Sequence, residues 1–220
     1  MPAYKLRFEL RSAATFGRGD GVAGLVDREV EHDADGLPFL RGRTLKGLLA
    51  EECANLLYAF ELQGRADDWR RIAYRTFGQP GSTVEDTGTL RVGDARLPER
   101  LRAAIKMAVS KEELAADEVL ESLTAIRRQT SINEHGAPEE GSLRSMRVVL
   151  PGTVFEAALD FMEAPNEQTL ALLAACILAW RRAGTGRNRG RGRLQAYLLD
   201  GDGADITERC FRVFAREVTQ

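Results

Sequence analysis

RRAGTGRNRGRGRLQAYL, residues 181–198, places six arginines and four glycines in its first thirteen positions, in a 220-residue chain whose formal net charge is only -2. It follows an apolar helical pattern, Leu170, Leu173, Ile177 and Trp180 on one face, and runs into an alternating pattern at Leu194–Leu199. The stretch therefore reads as an ordered loop from helix to strand, with Gly184 or Gly186 as the helix stop. Glycine lets backbone N–H groups approach a phosphate, and Arg187, Arg189, Arg191 and Arg193 supply guanidinium contacts around Gly184, Gly186 and Gly190. A nucleotide P-loop is excluded because the Gly-Lys-Ser/Thr ending is missing. A dinucleotide fingerprint is excluded too, since strand and helix come in the opposite order.

Working outward, alternation in YKLRFELRS (4–12) and across Phe155, Ala157, Leu159 and Phe161 predicts one-sided strands. A strand or strand pair is expected in TLRVGDARL (89–97), and a closing strand over Phe211–Val218. Leu45, Leu48, Leu49, Cys53, Leu56, Leu57 and Phe60 form a helical stripe from Thr44, the expected N-cap, and a second helix is expected over Asp67–Phe77. Gly47 inside that first helix suggests close approach of a backbone or ligand. The Gly- and Asp-rich segment 13–42 reads as a long loop with a short strand near Gly24–Val26. Residues 99–145 are polar and weakly periodic, as an inserted loop or arm would be. The order of elements predicts an α+β, ferredoxin-like or RNA-recognition-like sheet with two helices on one face.

Composition narrows the function. Among 31 basic residues 27 are arginine, compatible with phosphate recognition by planar forks. Three separated cysteines without a Cys-x-x-Cys pair and only two histidines give a structural zinc site little to draw on, and cysteine burial in helices is the expectation for Cys53 and Cys176. Nothing in the spacing supports a Ser-His-Asp triad. No apolar run reaches membrane-spanning length and the first residues lack an apolar signal, which favours the cytoplasm.

A second basic junction, RGRTLKG (41–47), gathers Arg41, Arg43 and Lys46 at a helix start, where unpaired N–H groups and the helix dipole favour an anion. The loop before it holds Asp20, Asp27, Glu29, Glu31, Asp33 and Asp35. A carboxylate beside RNA can help remove a 2′-hydroxyl proton or position a cation, although such clusters are also ordinary solvated loops.

Four segments together resemble the RAMP superfamily, specifically the repeated backbone subunit of type III CRISPR RNA-guided effector complexes. They are GLPFLRGRTLKGLLAEE (36–52), Phe77-Gly78 with GTLRVGDARL (88–97), IRRQTSINEHGAPEEGSLRSMRVVLPGTVFEAAL (126–159) and AGTGRNRGRGRLQ (183–195). Arg43 and Thr44 depart from the smaller or hydroxylated residues common at those places.

The resemblance implies a single domain over 1–220 with a modified RNA-recognition fold and an inserted arm, or thumb, within 99–147. It implies guide-RNA phosphates held by Lys46, Arg41 or Arg43 and the Gly184–Arg193 loop. The implied partners are guide RNA, complementary target RNA, adjacent copies of the chain and other type III effector subunits. Asp27 is the residue that best corresponds to the family's cleaving aspartate, ahead of Asp20, Asp33 and Asp35. It would assist attack of the target's 2′-hydroxyl, with magnesium or another divalent cation as an inferred cofactor and metal ligands unassigned. A noncatalytic guide-binding scaffold is the alternative.

Overall fold

The computed structural model describes residues 4–62, 67–79 and 88–219. The elements are β1 (Tyr4–Leu10), α1 (Gly42–Glu61), α2 (Asp67–Phe77), β2 (Leu90–Val92), α3 (Glu99–Ser110), α4 (Ala116–Leu123), β3 (Thr124–Gln129), β4 (Arg144–Val149), β5 (Val154–Phe161), α5 (Glu167–Ala179), β6 (Leu194–Leu199) and α6 (Thr207–Thr219). Strands β2, β5, β1 and β6 lie side by side in that order, every pair antiparallel. Strands β3 and β4 make a separate antiparallel pair. Without the segment between β2 and β5, the chain runs strand, helices, strand, strand, helix, strand, with the first and third sheet strands central. That is the ferredoxin-like arrangement the sequence predicts.

Alternation makes the sheet one-sided. Leu6, Phe8 and Leu10 of β1 are fully buried, whereas Lys5 and Arg7 face outward. Phe8 stacks on Phe155 at 5.2 Å, its direct cross-strand neighbour, and meets the edge of Trp180 at 5.0 Å. Phe16 joins the same aromatic group, against Phe8 and Phe155, and so anchors the loop that leaves β1.

Helix α5 starts with Asn166, whose side chain accepts from the Thr169 N–H at 2.8 Å. Ala171 to Ile177 are buried without interruption because the sheet covers one side of the helix and α6, α1 and α2 cover the others. Cys53, Cys176 and Cys210 are all buried and unpaired by disulfide. Among the described residues no helix is long and apolar enough to cross a membrane.

Five expectations need correction. Residues 207–219 form α6 rather than a closing strand over Phe211–Val218: Ile206, Cys210 and Phe214 recur every four residues, and Phe214 packs on Trp69 and Phe60. Residues 99–123 are two helices rather than an irregular arm; Val119 and Leu120 of α4 join the main core. The strand expected near Gly24–Val26 is a single Val22–Val26 bridge. Helix α5 ends at Ala179, before either glycine, because Arg182 bridges Arg193 and draws the chain into extended pairing. Thr44 is not the cap of α1, which begins at Gly42. Residues 80–87, within the stretch that connects the second helix to the next strand, lie outside the described residues.

Candidate nucleic-acid interface

The glycine-rich loop is held at its stem and against the chain after β1. Ala183 N–H donates to Gly192 O at 2.9 Å and Leu194 N–H to Arg181 O at 3.0 Å, closing the stem. Gly192 N–H donates to Ala13 O, and Thr185 N–H to Thr15 O. A Cβ on Gly184 would stand 2.6 Å from Thr15 O, and one on Gly192 would stand 1.8 Å from Ala183 O; both residues also have positive φ. Only glycine permits this packing. At the tip, Gly186 and Gly190 flank a short 3-10 turn, Arg187–Arg189, in left-handed conformations.

The tip opens onto a cleft of about 520 Å³. Arg187, Arg189 and Arg191 line it from the loop, Arg144, Ser145 and Met146 from β4, and Asp27 and Arg28 from the loop after β1. Gly184 and Gly186 lie on its wall. Arg191 reaches Gln129 Oε1 at 2.8 Å and lies against Met146 Sδ, so the loop is tied to the β3–β4 pair.

Asp27 owes its place to pairing 118 residues away. Its N–H donates to Ser145 O at 3.0 Å, while its Oδ2 accepts from Ser145 N–H at 2.6 Å and from Ser145 Oγ at 3.2 Å. The Ser145 N–H, with its hydroxyl and the nearby Arg144 charge, holds the Asp27 carboxyl below the usual carboxylate range. Beneath it, Arg28 bridges Met146 in parallel pairing, and Arg147 N–H donates to Arg28 O. Glu29, 1% exposed, then meets Arg147 Nε at 2.9 Å, and Arg147 also donates to Thr124 Oγ1 at 3.2 Å.

A neighbouring hollow of about 450 Å³ is lined by Arg41, Thr44 and Leu48 on one side and by Gly184, Thr185 and Arg187 on the other. Arg187 lines both cavities and forks onto Glu51 of α1, at 2.8 and 3.0 Å. The two basic segments thus converge. Arg41 pairs with Glu31 at 2.6 Å, which favours its charged form. Arg43 is exposed and outside the cavity walls. Lys46 is half-buried, and burial pushes its ammonium down.

The anion expected at the start of α1 is already supplied by the protein. Asp94 Oδ1 accepts from Gly42 N–H at 3.0 Å, and Asp94 Oδ2 accepts from Arg96 at 2.9 Å. Burial pushes the Asp94 carboxyl up, but these bonds outweigh it and hold it below the usual range. Of the two approaches expected at Gly47, that of another backbone is found at Gly42 instead: a Cβ there would meet Val92 O at 2.1 Å, whereas no protein atom lies within 4 Å of one at Gly47.

Arg193 points away from the cleft, into a groove at the loop's stem, and Gly190 stays in the turn and off the wall of the cleft. Asp20 pairs with Arg18, Asp33 Oδ1 accepts from the N–H groups of Asp35 and Leu37, and Asp35 pairs with Lys106. Arg28, Gln129, Arg144 and Ser145 belong to the cleft although no local pattern marks them.

For a divalent cation the donor set is a poor fit. Asp27 is the one carboxylate lining a cleft that also presents five arginines, and no group of three His, Cys, Asp or Glu among the described residues could hold a metal. The cleft's own chemistry suits a polyanion.

Two solved structures share the fold. The matching chain of each is 16% identical to this chain and is covered over 97% of its own length: one comes from Type III-B Cmr-beta in its apo state, TM-score 0.63 over 90% of this chain, and the other from Type III-B Cmr-beta bound to cognate target RNA, TM-score 0.62 over 91%. No curated protein matches by sequence. The family model of the RAMP superfamily matches residues 7–195, most of the chain, and the chain belongs to the RAMP superfamily.

Proposed function

We propose that the chain is a guide-RNA-binding subunit, repeated in adjacent copies, of a type III CRISPR effector complex, and that it cleaves complementary single-stranded target RNA. The observation that carries this reading is the convergence of Arg28, Arg144, Arg187, Arg189 and Arg191 on one cleft with Asp27. Five guanidiniums suit a phosphodiester chain, and arginines that neutralise phosphates bind with little regard to sequence. Base pairing then supplies specificity. Arg41, which lines the hollow next to Arg187, extends the phosphate track to side chains on the first turns of α1, Arg43 and Lys46 included, while the Gly42 N–H there stays with Asp94. The likeness to a Cmr-beta structure bound to cognate target RNA supports target RNA as a partner; guide RNA, adjacent copies of the chain, other type III subunits and a cytoplasmic setting complete the proposal.

In this reading Asp27, ionised at neutral pH, takes the proton of the target's 2′-hydroxyl. The 2′-oxygen attacks the adjacent phosphorus, and the 5′-oxygen leaves with a proton from water. The products are a 2′,3′-cyclic phosphate and a 5′-hydroxyl. A carboxylate held below its usual range is a weak base, so orientation of the hydroxyl is its larger contribution. Magnesium, in this proposal, arrives on the phosphates of the RNA rather than in a protein cage.

One observation favours the noncatalytic scaffold: both Ser145 bonds fall on Asp27 Oδ2, a joint that needs no substrate. The deciding experiment is purification of the complex from its native cells, sequencing of the bound RNA and assay of complementary-target cleavage. Asp27→Ala should retain assembly and target binding while cleavage falls about 100-fold or more. Unchanged cleavage would leave the scaffold.

A further inference from the structure

The arginines of the glycine-rich segment divide into two sets. Those of the tip, Arg187, Arg189 and Arg191, line the Asp27 cleft; those of the stem, Arg181, Arg182 and Arg193, line a groove of about 590 Å³ that shares no residue with it. Arg11, just after β1, joins the stem set. Arg182 links the two, since its guanidinium donates to Arg187 O at 2.9 Å.

Two further features mark the groove. Trp180 stands on its wall, 1% exposed, and its buried indole Nε1 has no hydrogen-bond partner among the described residues. A buried donor without an acceptor is costly and asks for an explanation. Tyr197, half-buried on β6, supplies an aromatic surface beside Gln195. Two acids also line the groove, but both are engaged: Asp205 Oδ1 accepts from Thr207 N–H and Oγ1, and Glu208 pairs with Arg212.

We infer that this stem groove is a second binding site for single-stranded nucleic acid, taking phosphates on Arg11, Arg181 and Arg193 and a base against Tyr197. Arginines interleaved with an aromatic side chain are the composition such strands require. A polypeptide strand added to the sheet edge is disfavoured by the backbone. Leu194 N–H is used by Arg181 O, Leu198 N–H by Thr207 Oγ1, and Leu198 O by Ile206 N–H. The edge of β6 is thus engaged at both of its ends, which leaves a short central stretch for strand addition. The inference rests on the RNA-binding reading and deepens it: one strand passing over the glycine-rich loop meets arginines on both of its sides.

The test measures binding of the full chain to a labelled uridine oligomer of about 20 nucleotides, longer than the footprint of one small fold, across a salt series. Arg11→Ala with Arg181→Ala should weaken binding and reduce the magnitude of the log–log salt slope by about 1.4, two single-strand contacts of about 0.7 each. Tyr197→Leu should cost about tenfold in affinity. Melting temperatures report whether each variant is folded, and the comparison variant replaces Arg187, Arg189 and Arg191 with alanine.

If the wild-type chain and its complex bind no RNA, the functional reading fails and this inference with it. If the tip variant loses RNA while a folded stem variant keeps both affinity and slope, the groove inference alone is overturned. It is overturned as well if the stem variant keeps RNA but loses a co-purifying polypeptide, which would make the groove a protein socket.

Discussion

Asp27 and Glu29 are two residues apart on one segment and are bonded to Ser145 and Arg147, two residues apart on β4, yet they occupy opposite environments. The Asp27 joint is at the solvent-facing rim of the cleft; the Glu29 joint lies beneath it, with side-chain exposures of 2% for Glu29 and 6% for Arg147. The same acid chemistry and the same strand-like pairing thus yield different parts. The buried pair fixes β4 to the loop after β1, and the exposed carboxylate keeps Oδ1 outside both Ser145 bonds. Burial, more than residue type, separates the two joints.

The largest effect should come from breaking the lower joint on one side. Arg147→Leu leaves Glu29 in a dry site without its cation and should cost about 3–5 kcal/mol, read as a shift of the denaturation midpoint. Glu29→Leu combined with Arg147→Leu should recover much of that loss, because no unpaired charge stays buried. A loss below about 1 kcal/mol for the single variant, typical of a surface pair, would erase the contrast between the joints.

An intermediate effect is expected at the upper joint, and it should appear in activity rather than stability. Ser145→Ala removes one bond to Asp27 Oδ2 but keeps the backbone N–H at 2.6 Å. Cleavage by the assembled complex should fall several-fold, less than for Asp27→Ala, with the melting temperature nearly unchanged. If Ser145→Ala instead lowers the melting temperature as far as Arg147→Leu does, both joints are structural and the division fails.

The contrast also explains which parts of the molecule are legible in the sequence. Strands β1 and β5 and helices α2 and α5 follow from period alone, because each buries one face or a whole surface in a repeating pattern. The glycine-rich loop is legible as an ordered basic loop between helix and strand, since its glycines, its arginines and the periodicity of its flanks are all local. Its split at Arg193 is not, because the sorting is made by the stem pairing of Arg182 with Arg193. Asp94 as the acid at the start of α1, and Ser145, Arg144 and Gln129 as cleft residues, depend on contacts over 50 to 120 positions that no spacing rule encodes. Alternation at Phe211 and Val213 suggests a strand because the deciding contact, Phe214 on Trp69, is likewise tertiary.

The smallest effect concerns acid. Ser145 N–H holds Asp27 below the usual carboxylate range, and Asp94, although burial pushes it up, is held below by Gly42 N–H and Arg96. Both therefore have folded values under the unfolded value of about 3.9. Their contribution to stability is present above that value and is lost as pH falls through the folded values. Melting curves of the wild-type chain should be flat with respect to these two groups from neutrality down to about pH 4, then decline. The gap between wild type and Asp94→Ala should narrow over the same acid range, because protonation removes from the wild type what the substitution has already removed. A gap that stays constant through that range would mean that the ionised carboxylate is not what fastens Gly42, and the start of α1 would again be open to an outside anion.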